Sequence, residues 1–422
     1  MRLLADLRSI RSNRPLTALV AASAVSSFGD WLYLAAVPII VFQETQDAAL
    51  LGLAAAGRLL PFLLLSMPAG LVADRFDRRR ILLATESTRA VLMFAMAVAY
   101  VLDLGVGILI AISMASAALG TFAMPAQSAL MPELARDDTE LGVANATSAA
   151  LDNVGSIGGP MVAGLLVLTT GLGAACALNG LTFVCVVVLL AATRPPPRST
   201  PARQPAEGRE PSGAPGREGP ADGGRRPFAR PTLQATVLDA AVSFGAGSLG
   251  VMPVLIAVDH VGAGEALAGL IGAAGGIGAS LGGLAAASLL GRRLSTVVIL
   301  AGLTAAGAVT AVALVPSAVV AVAGVGFALA AVVLLDALNL TWLQRSVPAS
   351  HLGRAFGVMH TSAAVWLMLG SAVPPIIAAS LGVQLALHAV AAGCLGLAAL
   401  SLTLDLAVKQ PRPLHLRATT RA

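Results

Sequence analysis

Long apolar stretches recur along the whole chain, and they restrict its fold more than any other feature. A helix needs roughly 20 apolar residues to cross the hydrocarbon core of a bilayer, and stretches near or above this length follow one another from end to end. Only 12% of the residues are charged, whereas about 25% is usual in a soluble domain. Because backbone polar groups must be satisfied within lipid, the stretches predict an all-α membrane protein.

Twelve transmembrane helices are predicted, in two groups of six separated by a change of composition. The predicted spans are 15–42, 49–70, 81–100, 106–128, 140–169 and 174–192, followed by 233–258, 265–290, 294–314, 317–343, 355–380 and 383–407. The intervening segment is rich in Pro, Gly, Arg and Glu, and such a composition cannot form a core. The predicted domains are therefore an N-terminal bundle (1–192), a disordered cytoplasmic linker (193–231), a C-terminal bundle (232–408) and a cytoplasmic tail (409–422).

A weak internal repeat relates the two groups of helices. Leu141, Gly142 and Ala144 after the fourth span match Leu352, Gly353 and Ala355 after the tenth. The offset is about half the chain, as expected if each half is one copy of a six-helix unit. The repeat predicts two pseudo-symmetric bundles with a cavity between them.

The distribution of arginine predicts the orientation of the chain in the membrane. Short loops that carry Lys or Arg stay cytoplasmic. Arginines lie in the amino-terminal arm, the linker and alternate loops, while the opposite loops contain Glu44, Asp47, Asp103, Asp259 and Glu265 and no Lys or Arg. We call these two sides the arginine-rich face and the acidic face. Both termini are expected to be cytoplasmic, and the preference for Arg, Ala and Gly, typical of GC-rich coding, favours a bacterial plasma membrane.

Composition argues against several classes of function. The net charge of +5 lies beside lipid headgroups rather than on a soluble domain, so nucleic acid is not an expected partner. Lys409 is the only lysine, which excludes an ATP-binding phosphate loop with its lysine. Cys176, Cys185 and Cys394 all lie in predicted spans, where they predict neither a metal site nor a disulfide. No cofactor and no enzymatic activity are expected.

The loop after the second span carries the most specific pattern, GLVADRFDRRR at residues 70–80. Basic residues alone would only fix topology, which does not explain a glycine four residues before an Asp-Arg pair. The pattern resembles the cytoplasmic signature of the Major Facilitator Superfamily; the matching residues are Gly70, Asp74, Arg75, Arg78 and Arg79, with Asp77 where glycine is commoner. The resemblance implies a gate in which Asp74 and the neighbouring arginines hold the two bundles together.

The fifth span resembles the antiporter signature of the same superfamily, through Gly155, Gly159, Pro160 and Gly164. Small residues four apart let helices approach closely, and proline permits bending, so tight helix packing is the alternative interpretation. With TFAMPAQSALMPEL in the fourth span, the resemblance extends over most of the chain to the drug:proton antiporter and macrolide-efflux branch. One departure is Ser116, which stands where proton antiporters often have an arginine.

Charged residues inside spans are costly and usually line a pathway or pair with one another. The predicted proton or substrate pathway comprises Asp30, Arg58, Asp152 and Asp336. At about 1.5 Å of rise per residue, Asp30 and Arg58 share a depth near the middle of the bilayer. A cycle that separates this pair could load and release a proton, and a permanent structural ion pair is the alternative.

The predicted function is secondary active transport: export of an amphipathic small molecule such as a drug, a macrolide-like metabolite or a siderophore. The expected mechanism is alternating access between the bundles, driven by protons or another ion, with membrane lipids as the surroundings. Apolar span walls favour such a cargo over a sugar. An importer or facilitator of a small metabolite is the alternative, since fold does not set direction, and a non-transporting receptor or scaffold is a more distant one.

Overall fold

The computed structural model describes residues 12–170, 172–192, 229–289, 294–347 and 349–406. The regular structure in these ranges is helical throughout. Most of the predicted linker and the whole predicted tail lie outside the described residues. A helix begins at Ala229, so the last three residues of the predicted linker belong to a helix.

Thirteen helices, α1 to α13, make up the described part of the chain. The first half contains α1 (Arg14–Thr45), α2 (Ala48–Gly57), α3 (Leu60–Arg75), α4 (Arg78–Val101), α5 (Val106–Leu134), α6 (Asp138–Thr169) and α7 (Leu172–Ala192). The second half contains α8 (Ala229–Leu255), a π-helical turn (Ile256–His260), α9 (Glu265–Leu289), α10 (Leu294–Leu314), α11 (Ala318–Ser346), α12 (Ala349–Leu381) and α13 (Val383–Leu406). Each predicted span corresponds to one helix except the second, which consists of α2 and α3, and the seventh, which consists of α8 and the start of the π-helical turn.

Eleven spans in the described part are long and apolar enough to cross a membrane, and α6 is the predicted span that is not among them. Helix α6 has the required length, with 32 residues. It carries Asn145, Asp152 and Asn153 in its middle, which lower its hydropathy. Asp152 and Asn153 line an internal cavity, so these polar side chains face the cavity rather than lipid.

The two halves meet toward the acidic face. A single cluster of buried apolar side chains there includes Leu51 from the first half with Leu255 and Ile271 from the second. Toward the arginine-rich face the apolar clusters are separate, one around Leu130 in the first half and another around Leu238 in the second. The halves therefore close against each other at the acidic face and part toward the arginine-rich face.

The second span contacts the other half through its first piece and its own half through its second piece. Its first piece, α2, packs against α12 of the other half, where a β-carbon at Gly52 would lie only 2.8 Å from Pro375. Its second piece, α3, packs against α5 of its own half. Met67 on α3 is 78% exposed and Val358 on α12 is 57% exposed. The break between the two pieces, at residues 58–59, thus lies where the halves begin to separate.

Candidate transport pathway

A cavity of about 500 Å³ lies between the two halves. Helix α6 contributes a polar edge of Asp152, Asn153 and Ser156, beside Trp31 of α1. The walls from the second half are apolar: Ala246, Leu249, Pro253, Val254, Leu329 and Leu367 among others. Asp152 is the only charged residue among the described residues that line it. The volume lies within the range of about 300–1,000 Å³ typical of small-molecule sites.

The Asp152 carboxylate is held in place by helix α1. Its Oδ1 accepts a hydrogen bond from Trp31 Nε1 at 3.1 Å and another from the Ser27 hydroxyl. These bonds fix the orientation of both the carboxylate and the indole ring. Asp152 itself is exposed, so it presents a positioned negative charge to the cavity.

The glycine pattern of the fifth span forms two close helix contacts. A β-carbon at Gly159 would lie 2.5 Å from the Leu32 backbone nitrogen in α1. One at Gly269 in α9 would lie 2.6 Å from the Pro160 carbonyl oxygen and 2.7 Å from Gly164 Cα. The small residues of α6 thus let α1 pack closely on one side of the helix and α9 of the opposite half pack closely on the other. Tight packing accounts for these positions, and their part in export stays a prediction.

Asp30 pairs with Arg89 rather than with Arg58, the expected partner. Arg89 Nη2 donates to Asp30 Oδ1 at 2.6 Å. The Arg58 guanidinium lies over the Tyr33 ring, 5.8 Å from its centroid, and lines a cavity of about 120 Å³ that adjoins the central one. Equal depth did not reveal the pairing, because depth along a helix carries no information about which helix faces meet.

Arg89 connects two carboxylates in the interior of the first half. Its Nη1 lies 3.4 Å from Glu86 Oε1, one turn earlier in α4. The guanidinium also stacks on Phe183, with Cζ 4.1 Å from the ring centroid, which is a cation–π arrangement. The Glu86 side chain is 4% exposed and its Oε2 has no described hydrogen-bond partner. Asp30, at 39%, is the more accessible carboxylate.

The Arg89 side chain lies beside Ser116, the position at which proton antiporters often have an arginine. Arg89 Nε lies 3.5 Å from Ser116 Oγ, so the third span supplies a guanidinium beside the position where an arginine of the fourth span was expected. Gly120 also lies beside the guanidinium, since a β-carbon there would be in ordinary contact with Arg89 Cζ at 3.6 Å. The sequence prediction did not include Glu86 or assign Arg89 a role. The available signal was an acid and a base three residues apart inside a predicted span.

Two arginines of the 70–80 loop, Arg78 and Arg79, bind within their own half. Arg78 pairs with Glu133 of α5 and donates to the Ala129 carbonyl at 3.1 Å. Arg79 donates to the Leu190 carbonyl of α7 at 2.7 Å. None of these three bonds reaches the other half, which is apart from the first half at this face. The gate function of the loop stays a prediction.

Three further motif positions lie near that face. Asp74 and Arg75 are exposed at the end of α3, and their side chains form no hydrogen bond or ion pair with any described residue. Gly70 has open space around its α-carbon, with no atom within 4 Å of where a β-carbon would lie. In this conformation, therefore, no described residue of the other half bonds to the Asp74 or Arg75 side chain or fills the space at Gly70.

Asp336, the last predicted pathway residue, lies in the second half. It is exposed on α11, near Asp239 of α8. The four predicted residues therefore have different neighbours: Asp152 lines the central cavity, Asp30 bonds to Arg89, Arg58 lies over Tyr33, and Asp336 lies near Asp239.

A family model described as transmembrane secretion effector matches residues 11–418. The chain belongs to this family of the Major Facilitator Superfamily. The superfamily predicted from the 70–80 loop and the fifth span is thereby confirmed, as is the expectation of a transporter rather than an enzyme.

Curated relatives of this transmembrane secretion effector share part of its length. It is 30% identical over 181 residues to the uncharacterized MFS-type transporter YfiS of Bacillus subtilis, covering 43% of this chain and 42% of YfiS. It is 28% identical over 169 residues to the multidrug efflux pump Tap of Mycobacterium tuberculosis, covering 38% of this chain and 40% of Tap. The alignments thus span about two fifths of either relative.

Solved structures confirm the predicted all-α membrane fold over nearly the whole chain. The crystal structure of a bacterial homolog of the human lysosomal transporter Spinster superposes with a TM-score of 0.72 at 15% identity, covering 93% of this chain and 96% of that one. At this identity the likeness defines the fold of this family member and leaves its substrate open.

Proposed function

We propose that this chain exports amphipathic small molecules that carry a positive charge, by alternating access. The observation that carries the proposal is the cavity between the halves, whose apolar walls enclose one carboxylate, Asp152, beside the Trp31 indole. Apolar surface favours a lipophilic body, while a carboxylate and an aromatic face both favour a cationic group. The importer or facilitator of the same fold is the alternative.

The proposed direction rests on the open face together with a named relative, because a face open to the cytoplasm serves an exporter for loading and an importer for release. The halves are packed together at the acidic face and apart at the arginine-rich face. Because arginine-rich loops stay cytoplasmic, this arrangement corresponds to a state that loads its cargo from the cytoplasm. The similarity to the multidrug efflux pump Tap supports export.

Proton coupling in this proposal takes place at Asp30, Glu86 and Arg89. Two carboxylates share one guanidinium there, so with both ionised the cluster carries a net negative charge in an apolar interior. Binding of one proton removes that charge and the cost of burying it. Asp30 receives the proton from the accessible side, and Arg89 shifts toward whichever carboxylate stays ionised. This cluster replaces the Asp30–Arg58 pair as the coupling site.

Replacing Asp152 with asparagine should impair export of cations selectively. The amide keeps an acceptor for Trp31 and Ser27 but loses the charge that attracts a cationic group. Loss of a charged interaction worth roughly 1.5–3 kcal/mol predicts about a tenfold or larger fall in export of a lipophilic cation such as ethidium. Accumulation assays in a pump-deficient bacterial host, with an uncharged amphipathic compound measured in parallel, test this.

The control is Asp103→Asn, the same change at an exposed turn on the acidic face. Its left-handed backbone, with φ of 50°, suits asparagine as well as aspartate. Equal loss of the cation and the uncharged compound in Asp152→Asn would show that the carboxylate serves packing rather than recognition.

Glu86→Gln should uncouple export from the proton gradient. A glutamine keeps the size of the side chain but cannot take up a proton, so uphill efflux is expected to fall by about tenfold or more while downhill exchange continues. Proton release measured with a pH-sensitive dye in reconstituted vesicles, on addition of substrate, reads this directly. Asp30→Asn should behave alike, and Glu44→Gln, an exposed acid at the end of α1, should not. Unchanged pH dependence in both cluster variants would eliminate the site.

A further inference from the structure

A second group of acidic and amide side chains lies where α8 and α11 of the second half cross. Asn339 Nδ2 donates to the Ala235 carbonyl of α8 at 3.0 Å and fixes the register of the two antiparallel helices. One turn further along each helix from this bond stand Asp336 on α11 and Asp239 on α8. The two carboxylates therefore lie on neighbouring turns of the helix contact, close enough to interact electrostatically.

The buried oxygens of this group lack donors. Asp239 is 5% exposed and its Oδ2 has no described hydrogen-bond partner. Asn339 is 1% exposed and its Oδ1 is likewise without a partner, because its amide nitrogen makes the bond to α8. Two buried acceptor oxygens without a hydrogen-bond donor raise the free energy of the folded protein, unless a positively charged group binds to them.

No protein cation fills this role among the described residues. Neither aspartate forms an ion pair with an arginine there, and the other titratable group acting on Asp336 is His360 of α12. The His360 ring is stacked on Phe356, at 5.9 Å between centroids, and is exposed. The described faces of α8, α11 and α12 at this point thus present two carboxylates, an amide oxygen and one imidazole.

We propose that Asp239, Asp336 and Asn339 form a binding site for a small monovalent cation, either a proton shared by the two carboxylates or a sodium ion held by their oxygens. Carboxylate and amide oxygens are the ligands that hard cations prefer. Asp336 is exposed, so the cation enters from its side and reaches the buried Asp239 oxygen. This site lies in the opposite half from Asp30 and Glu86, and it stands whether or not this chain exports cations.

Binding to the purified full-length protein tests the site without a transport assay. Thermal unfolding is followed in detergent, with sodium chloride compared against choline chloride at equal ionic strength, at one acidic and one neutral pH. Sodium binding should raise Tm by about 2 °C or more at neutral pH. Proton binding should instead give a Tm rise of that size on acidification that does not depend on sodium. Trp342, which packs in the cluster around Ala235, provides a second, fluorescence readout.

The sodium response should disappear in Asp239→Asn and in Asp336→Asn, and the acid response should become smaller in both, because only the proton taken up at Asp30 and Glu86 then contributes. The second variant changes an exposed side chain, so it stays informative if the buried change unfolds the protein. Asp259→Asn, an exposed acid beyond the same helix, is the matched control and should respond like the unaltered chain. The proposal is overturned if Asp336→Asn keeps the full response to both cations, or if the unaltered chain responds to neither.

Discussion

An Arg89→Met variant should lose export and unfold at a lower temperature. The change removes the only described cation bonded to Asp30 and Glu86 and leaves a 4% exposed glutamate with no partner. Breaking a buried ion pair by deleting one partner costs about 3–5 kcal/mol, which is a large share of the stability of most proteins. Methionine keeps much of the apolar contact with Phe183, so the loss should come from the charge rather than from a cavity.

Two variants separate this explanation from general damage. Arg80→Met makes the same change in the first turn of the same helix, where the side chain is exposed, and should leave Tm and export nearly unchanged. Adding Glu86→Gln to Arg89→Met should recover part of the lost Tm, because no buried charge then lacks its partner. Thermal unfolding and ethidium export are the measurements. An Arg89→Met protein as stable as the original chain would show that the cluster carries no buried ionic charge.

A Gly269→Leu variant should be unable to close at the acidic face. A β-carbon at this position already falls within 3 Å of Pro160 O, Gly164 Cα and Gly164 N, so a leucine side chain has no room between α9 and α6. These are backbone atoms and cannot rotate away. The halves would separate at this contact, which removes the cytoplasm-loading state, and export should fall by about tenfold or more.

Separation of the halves at the acidic face can be measured with a cysteine at position 43. In the unaltered chain, Gln43 Nε2 donates to Glu265 Oε2 of the other half at 2.5 Å. Labelling of Gln43→Cys by an impermeant maleimide added outside should rise in the Gly269→Leu background. Gly283→Leu on the same helix is the control, because its nearest atom, Val333 Cγ1, lies 3.8 Å from a β-carbon. Equal labelling with and without Gly269→Leu would contradict the assignment of this contact as the closed side.

Most of the helices could be predicted from hydropathy, because a run of apolar residues long enough to cross lipid has few other stable conformations. Helix α10 has the predicted bounds, residues 294–314, and α1 extends the prediction by only a few residues at each end. The break between α2 and α3 was missed. It lies just before Pro61, which has no N–H to bond back to the preceding turn, and this proline was the one signal in a segment that is apolar on both sides.

The sequence by itself determined that this chain is a helical membrane protein of the Major Facilitator Superfamily, since apolar length and the 70–80 loop are local features. Tertiary structure alone decided that Arg89 and not Arg58 meets Asp30, that Asp152 faces a cavity, and that the halves touch at the acidic face. Pairings of this kind depend on the rotation of each helix about its axis and on which helices are neighbours. Both are set by packing between segments far apart in the chain, and linear spacing does not encode them.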